Sequence, residues 1–489
     1  MKRNGVRAVP YLVAVALLTL ALAFPTSAQE GSRLFPNLFP TQLPNLFPFL
    51  DPAGAVETHT TDPSGVIDLT GPFFQSLGTN GRSCSTCHQP SDAWTVSAAH
   101  VQLRFLLTRG TDPIFRTVDG SNCDNLDVST VEARAKAYSL LTSRGLIRIA
   151  LPVPANAQFE VVSVSNPYGC NDMSTLSMYR RPLPAANLRF LSTVMFDGRE
   201  SSPQTGTEKI TYATNPGDLL FDLAHQAVDA TLGHAQAIPP GPTPGQQQAI
   251  VNFEMALSVA QAFDFKAGSL SGDDANGGPV PLSRQPFFIG INDSFPAPFG
   301  FNPTGASFTP TIFALFDNWL KSHNFQRASI ARGQQIFNSK PINISGVAGI
   351  NDVPGIIAAF GNVVPGTCGT CHDSPSVGDH SFPAPLNIGT GDLASPLDVS
   401  YLPVITLRNT TTGAVIQTTD PGRALITGAW ADAGKVKGPI LRGLAARAPY
   451  FHNGSAATLA DVVEFYDKRF GIGFTAQEKT DLVAFLSAL

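Results

Sequence analysis

The C-terminal end of the chain carries two segments with the apolar spacing of amphipathic helices. In the first, the capping pair Thr458 and Asp461 precedes an apolar face. That face comprises Leu459, Val462, Val463 and Tyr466. The second segment repeats the device with Thr475 and Glu478, and its stripe comprises Leu482, Val483, Phe485, Leu486 and Leu489. The pattern predicts two packed helices at the end of the chain.

Two more helical segments are expected farther upstream. A short one is predicted at GPFFQSLG (71–78), and a longer one at QRASIARGQQIFNS (326–339). Convincing strand patterns are confined to residues 146–164. Each of the two helical segments leads through a loop into the same five-residue motif.

That motif is Cys-x-x-Cys-His, which occurs as CSTCH at 84–88 and as CGTCH at 368–372. It is the attachment sequence of c-type haem. With six cysteines and nine histidines in 489 residues, one accidental copy has odds of about one in a thousand. Two copies therefore indicate two covalently bound haem c groups. A single zinc site built from both cysteine pairs is the alternative, but zinc leaves the histidine after each pair unexplained. The expected thioether cysteines are Cys84, Cys87, Cys368 and Cys371, and the expected iron ligands are His88 and His372.

The first 28 residues look like a cleavable secretory signal. Basic residues precede a 14-residue apolar run, Tyr11–Phe24, and small residues end at Ala28. The run is short for a bilayer, so we expect export to the periplasm and no stable membrane span. Residues 29–65, with their Leu-Phe-Pro repeat, are predicted to form a Pro-rich extended tether. The rest divides into an N-terminal haem domain, 66–325, and a C-terminal one, 326–489.

Composition and charge narrow the picture further. Only 14% of residues are charged, against roughly 25% ordinarily, which predicts a loop-rich fold around an apolar group. The net charge of −5, more negative once the signal is removed, disfavours nucleic acid and suits a small basic electron donor. The two remaining cysteines, Cys123 and Cys170, are expected to form a disulfide in an oxidising compartment.

The chain resembles the bacterial di-haem cytochrome c peroxidases, including their relative that matures the tryptophylquinone cofactor of methylamine dehydrogenase. The resemblance lies in CSTCH (84–88), FLSTVMFDGRE (190–200), CGTCH (368–372) and KGPILRGLAARAPYFHNGSAATLADVVEFY (437–466). It implies a mainly α fold of two cytochrome c-type haem domains packed together, with long loop-rich insertions in the first. It also implies that the N-terminal haem is the reactive one. Electrons would come from a small cytochrome or cupredoxin.

For the second haem, the resemblance places a distal ligand fourteen residues beyond His452, at Tyr466. His452 itself resembles the family's haem-contacting histidine. No methionine follows Met255, so the C-terminal domain has no thioether of its own to offer. The candidate ligands that remain in it are His380, His452, Tyr401, Tyr450 and Tyr466. The alternative for Tyr466 is a core tyrosine whose hydroxyl has an ordinary partner.

For the first haem, the resemblance implies a glutamine and, ten residues later, a glutamate that moves protons. Gln226 fits the first position, but Gln236 occupies the second and cannot transfer a proton as a carboxylate does. His234 is therefore the expected acid/base. His100 is either a displaceable distal ligand or a buried structural histidine.

Two further positions depart from the family pattern. Phe196 stands where relatives usually carry a tryptophan between the haems, so electrons would tunnel directly or pass through Trp94 or Trp430. The family's interdomain calcium uses backbone carbonyls near APYFH, where Arg447 makes a cation less comfortable. Calcium stays open.

Three functions follow from these residues. The leading one is a periplasmic di-haem oxidoreductase that reduces hydrogen peroxide at the N-terminal haem with electrons from the C-terminal haem. A high-valent di-haem oxidase or oxygenase, acting on a protein or organic substrate, is favoured by the tyrosine position and the insertions. The third is a di-haem electron-transfer cytochrome without enzymatic activity.

Overall fold

The computed structural model describes residues 40–200, 215–297 and 300–489. The expected signal peptide, 1–28, lies outside the described residues, as does the start of the expected tether. The described α-helices are α1 (Ala98–Thr108), α2 (Val131–Ala137), α3 (Ser139–Arg144), α4 (Pro216–Gly233), α5 (Pro244–Ala256), α6 (Pro279–Ser283), α7 (Phe325–Ser339), α8 (Pro354–Phe360), α9 (Ala424–Thr427), α10 (Leu459–Phe470) and α11 (Ala476–Ser487).

Short strands are more numerous than the sequence indicates. They are β1 (Gln42–Pro44), β2 (Phe49–Leu50), β3 (Gly54–Thr60), β4 (Val66–Asp68), β5 (Ile147–Pro152), β6 (Phe159–Ser165), β7 (Thr175–Arg180), β8 (Leu257–Asp264), β9 (Gly268–Ser269), β10 (Ile342–Ser345), β11 (Val363–Gly366), β12 (Val404–Asn409) and β13 (Val415–Thr418). The larger sheets have the orders β2-β3-β8-β9 and β13-β12-β6. Only β5 and β6 fall in the region where strands were expected. A mainly α fold class stays a prediction.

The prediction of an extended tether is wrong for residues 40–65, the part of that segment that the structure describes. Strand β3 pairs antiparallel with β8, with Val56 opposite Gln261. Leu43, Phe49 and Val56 are buried in a core with Phe73 and Trp94. The Leu-Phe-Pro pattern therefore supplies large apolar side chains to a packed sheet rather than an exposed linker, because burying phenylalanine and leucine is worth about 2 kcal/mol each.

The C-terminal helices confirm their expected caps and faces. Thr458 and Asp461 form a capping box on α10, and Thr475 and Glu478 form one on α11. Helix α11 packs on α7 at a close crossing, where a Cβ added to Gly333 would lie 2.0 Å from a backbone carbonyl oxygen of α11. Only a residue without a side chain fits such an approach.

The core beneath these helices includes residues from before position 326. Phe313, Phe316 and Trp319 pack with Phe337 and Phe485. In the other direction, β12 joins β6 of the N-terminal half in one sheet. The two expected domains therefore share a core and a sheet across the expected boundary at residue 326. None of the helices in the described ranges combines the length and apolar character needed to cross a membrane.

Candidate functional site

The two Cys-x-x-Cys-His motifs fold into the same turn. Each begins as one turn of 3₁₀-helix, Cys84–Thr86 and Cys368–Thr370. In both, the histidine N–H donates to the carbonyl of the first cysteine at 3.1 Å. A threonine three residues beyond the cap closes each turn by accepting from the cap residue's N–H at 3.0 Å. Two stretches far apart in sequence thus present two thiols and one imidazole in the same arrangement.

Both histidines are held by one ring nitrogen. The Nδ1 atom of His88 donates to the carbonyl of Trp94 at 3.0 Å, and that of His372 to the carbonyl of Gly378 at 2.5 Å. Burial lowers the pKa of His88 to about 4 and also lowers the pKa of His372. A neutral imidazole with Nδ1 occupied leaves Nε2 free as a metal ligand, which is the form that iron requires.

Each cysteine pair opens onto its own cavity. The first cavity is lined by Cys84, Cys87 and His88, and the second by Cys368, Cys371 and His372. Burial raises the pKa of Cys84, Cys368 and Cys371 to about 12. The cysteine pairs form no joint cluster of potential metal ligands among the described residues, so the single zinc site does not form. Buried thiols beside a held imidazole, in mostly apolar cavities, fit covalently attached haem.

Helices α4 and α5 cover the first cavity. From α4 and its C-terminal cap come Gln226 and His234, and from α5 come Ile250 and Glu254. Met195 also lines the first cavity. The structure therefore brings two of the expected pocket residues, Gln226 and His234, together with His88.

His234 belongs to a charged chain at the edge of this cavity. Its Nδ1 atom hydrogen-bonds one carboxylate oxygen of Asp119, whose other oxygen pairs with Arg82. Burial opposes ionisation of Asp119, but the Arg82 guanidinium and His234 hold its pKa below the ordinary value. The ring of His234 is thereby fixed, and its Nε2 atom has no hydrogen-bond partner in the part of the chain that the structure describes. About a third of its side chain stays exposed, 37%.

Two expected pocket residues lie elsewhere. Gln236 follows the end of α4 with a positive φ of 54°, and its exposed side chain accepts from Asn80 at 3.2 Å. His100, in the first turn of α1, pairs with Asp92 at 2.6 Å and lines neither cavity. The expectation that Gln236 and His100 lie in the first cavity is therefore wrong. The left-handed conformation at Gln236 turns its side chain away from the cavity, and the ring of His100 is bound to the carboxylate of Asp92 outside it.

Glu254 was not anticipated from the sequence. It is buried, and no hydrogen bond joins its carboxyl to any described residue; its Oε2 atom is enclosed. Burial raises the pKa of this carboxyl to about 8. The signal was present in the pattern, since Glu254 follows the buried Ile250 by four positions on the apolar face of α5.

Helix α10 carries Tyr466 to the second cavity, together with Leu459, Val462 and Val463. Its ring packs against Phe465 and Phe470. Its hydroxyl makes no hydrogen bond with a described residue, and burial raises its pKa. The ordinary partner that a core tyrosine would have is thus not found among the described residues.

Two histidines also line the second cavity. His452 lies with Nε2 3.8 Å from Asp420 Oδ2, and burial lowers its pKa to about 4. His380 pairs with Asp373 at 2.9 Å, and although burial opposes protonation, this carboxylate raises its pKa to about 9. A protonated His380 is a poor metal ligand, whereas Tyr466 offers a free oxygen.

The two cavities share one wall. Phe196 lines both, as do Arg181, Lys437 and the segment Pro182–Pro184. Neither Trp94 nor Trp430 lines either cavity. Next to the wall, Asp197 pairs with Arg180 and Arg199. Burial opposes ionisation of Asp197, yet the two guanidinium groups lower its pKa to about 2, so this charge is permanent and fixes the turn.

The remaining expected features lie outside the cavities. Cys123 and Cys170 form a disulfide with Cα atoms 5.7 Å apart. At the expected calcium position, the carbonyl of Arg447 accepts from the Arg181 guanidinium at 2.9 Å. That oxygen already has a cationic partner, and calcium there stays a prediction.

Three proteins named cytochrome-c peroxidase are similar in sequence to part of this chain. No family model matches the chain. Cytochrome-c peroxidase IdrP1 of Pseudomonas sp. (strain SCT) is 32% identical over 139 residues. In Denitromonas iodatirespirans, cytochrome-c peroxidase IdrP1 is 33% identical over 142 residues and IdrP2 is 35% identical over 135. Each match covers 25% of this chain, which spans 36% of the length of each relative.

A solved structure is also similar at low identity. It is that of a MauG-like protein associated with microbial copper homeostasis, with a TM-score of 0.36 and 16% identity, covering 86% of this chain and 85% of that one. The sequence relatives confirm the resemblance to the cytochrome c peroxidases.

Proposed function

We propose that this protein is a periplasmic di-haem oxidoreductase of the cytochrome c peroxidase family, which reduces hydrogen peroxide in the first cavity with electrons that enter through the second. The observation that carries the proposal is the pair of alike Cys-x-x-Cys-His turns, each opening onto its own cavity, with one wall between them. The similarity to named cytochrome-c peroxidases supports the same reaction over the quarter of the chain that it covers.

A haem c attached at each motif would supply a redox-active iron to each cavity. The chain contributes the thiols that form the thioethers and an imidazole Nε2 whose tautomer is set by the bond at Nδ1. Covalent attachment through these turns would fix the haem edges relative to the shared wall.

The first cavity also contributes groups for binding and proton transfer. Reduction of hydrogen peroxide to two water molecules consumes two electrons and two protons. Nε2 of His234 is free to accept a proton and return it, because Asp119 holds the other ring nitrogen. The Gln226 amide, with one donor and one acceptor group, suits the orientation of a small polar molecule such as peroxide.

Electrons would cross the wall at Phe196. A phenyl ring is harder to oxidise than the indole that relatives carry there, so this residue favours tunnelling between the two centres over a stored radical on the wall. The net charge of −5 favours a small basic donor, such as a cytochrome or a cupredoxin, at the surface.

The attachment of two haems is testable by substitution. Expressed with a c-type maturation system, the chain should yield two haems by pyridine haemochrome analysis. Cys84→Ala and Cys368→Ala should each remove one, because each motif serves a separate cavity. The purified protein should then consume peroxide with two donor electrons per molecule. Fewer than two haems in the unsubstituted chain, or no peroxide-dependent oxidation of a reduced donor, would refute the proposal.

A further inference from the structure

Glu254 is a buried acid whose place in the first cavity has no structural explanation. It projects from α5 into the cavity that Cys84 and His88 also line. Its residue surface is 6% exposed, and the carboxyl has no hydrogen-bond partner among the described residues. An unpartnered buried carboxyl costs stability, because it gives up its hydrogen bonds to water and gains none in the protein. A buried polar group of this kind calls for an explanation, such as a catalytic or redox role.

No charged group of the described residues forms an ion pair or a hydrogen bond with the Glu254 carboxyl. On α4, which packs on α5, His225 pairs with Glu200, and His234 with Asp119. Arg189, on the turn Leu188–Phe190, donates to the carbonyls of Ser283 and Gln285. The remaining charged or titratable groups on these elements or around the cavity are Arg82, Cys84, Cys87, His88, Arg180, Arg181, Arg199, Asp218, Asp222, Asp229 and Lys437. Of these, the thiol of Cys84 interacts electrostatically with Glu254.

Burial alone sets the ionisation of this carboxyl. It raises the pKa of Glu254 to about 8, with no charged group among the causes. Without a redox centre in the cavity, the acid is therefore neutral at pH 7. A low-dielectric site screens charge weakly, so an oxidised, positively charged centre would lower the pKa of this carboxyl and let it ionise, and reduction would raise the pKa again.

We propose that Glu254 is the proton-holding residue of the first cavity, taking up a proton when the centre bound there is reduced and releasing it when that centre is oxidised. This inference rests on the proposed function. One electron arrives from the external donor, one proton arrives from solvent, and the carboxylate becomes a carboxylic acid. The net charge of the cavity is unchanged by the pair of transfers.

The path for that proton leads past His234. This histidine lines the same cavity and is 37% exposed at its side chain, whereas Glu254 is enclosed. His234 thus meets solvent, and Glu254 holds the proton inside the cavity that the reduced centre would occupy.

The sign of the coupling follows from charge. Reduction adds a negative charge, which favours the protonated carboxyl. At low pH the carboxyl is protonated in both oxidation states, so the midpoint potential is independent of pH. Above the pKa of the oxidised state, reduction takes up a proton, and the ratio of reduced to oxidised protein falls by up to tenfold per pH unit, or 59 mV for one electron.

The test is a redox titration of the first haem between about pH 5 and about pH 9 in three full-length proteins. We expect a pH-dependent midpoint in the unsubstituted protein and a flat one in Glu254→Gln, which keeps the shape and removes the ionisation. The two should coincide at low pH and separate at high pH, with the variant higher. Glu57→Gln removes another partly buried acid outside both cavities, and it should keep the slope.

A second measurement needs no variant. Above the pKa of the oxidised state, redox-difference infrared spectra of the unsubstituted protein should show the carbonyl band of a carboxylic acid growing on reduction. A flat midpoint in the unsubstituted protein, an unchanged slope in Glu254→Gln, or no carboxylic acid band would overturn the inference. These outcomes leave haem content and peroxide turnover intact, so they are distinct from failure of the proposed function.

Discussion

His234 and Glu254 line the same cavity, but their ionisation is controlled in different ways. The ring of His234 is fixed by Asp119 and Arg82 near the surface. The carboxyl of Glu254 is enclosed by apolar side chains, and burial alone raises its pKa to about 8. We infer that the first exchanges protons with solvent and substrate, and that the second balances charge inside.

Replacing His234 tests the first of these roles. His234→Ala should slow the reaction with peroxide by about a hundredfold or more, since general acid–base help is commonly worth that much, while both haems stay attached. Stopped-flow mixing with peroxide measures the rate. His225→Ala is the matched control, because His225 lies on the same helix but pairs with Glu200. An unchanged rate in His234→Ala would move the role to Gln226 or to water.

Residue identity alone predicted part of this cavity. Gln226 and His234 were expected there and are found there, whereas Gln236 and His100 are not. A single left-handed backbone conformation turns Gln236 away, and no pattern in the sequence reports that φ angle. Glu254 could have been found, since a charge on an apolar helical face is visible without a structure.

At the scale of elements, α10 decides how the second cavity is closed. Its capping box fixes where the helix starts, and the helical spacing then sets the face on which Tyr466 lies. Seven residues separate Tyr466 from Leu459, close to two turns of helix, so both reach the same cavity. The hydroxyl of Tyr466 has no hydrogen-bond partner among the described residues, so it is available as the hard oxygen donor that the resemblance implies for the second iron.

Tyr466→Phe keeps the ring and removes only this oxygen. We expect the midpoint potential of the second haem to rise, because a phenolate-type oxygen stabilises the ferric state, and its absorption spectrum to change. Spectroelectrochemical titration measures both. Tyr450→Phe is the control: Tyr450 lines the same cavity, but its hydroxyl already donates to the carbonyl of Leu444 at 2.9 Å. If Tyr466→Phe keeps the original potential and spectrum, Tyr466 is a packing residue.

Elements with long periodic patterns and caps were predictable, and short strands were not. Helices α7, α10 and α11 lie where the spacing of apolar residues put them. Strand β3 pairs with β8 across about two hundred residues, and such pairing leaves little local trace. The Leu-Phe-Pro repeat wrongly predicts a tether for the same reason: the strand against which this segment packs, β8, lies far away in the chain.

At the scale of the whole molecule, the arrangement is two cavities that share one wall. Phe196 lines both, and the fixed charges of Arg180 and Asp197 lie beside it. The sequence indicated two haem sites through its motifs. It did not indicate that segments of both halves build each cavity, because that depends on tertiary packing alone.

The central claim is that the first cavity is open for chemistry and the second is closed by a protein ligand. The electron paramagnetic resonance spectrum of the fully oxidised protein tests it most directly. We expect one high-spin ferric signal from the first haem and one low-spin signal from the second. Two low-spin signals would contradict the claim: the first iron would then carry a second protein ligand, with Met195 in its cavity as the thioether to replace, and the protein would be an electron-transfer cytochrome.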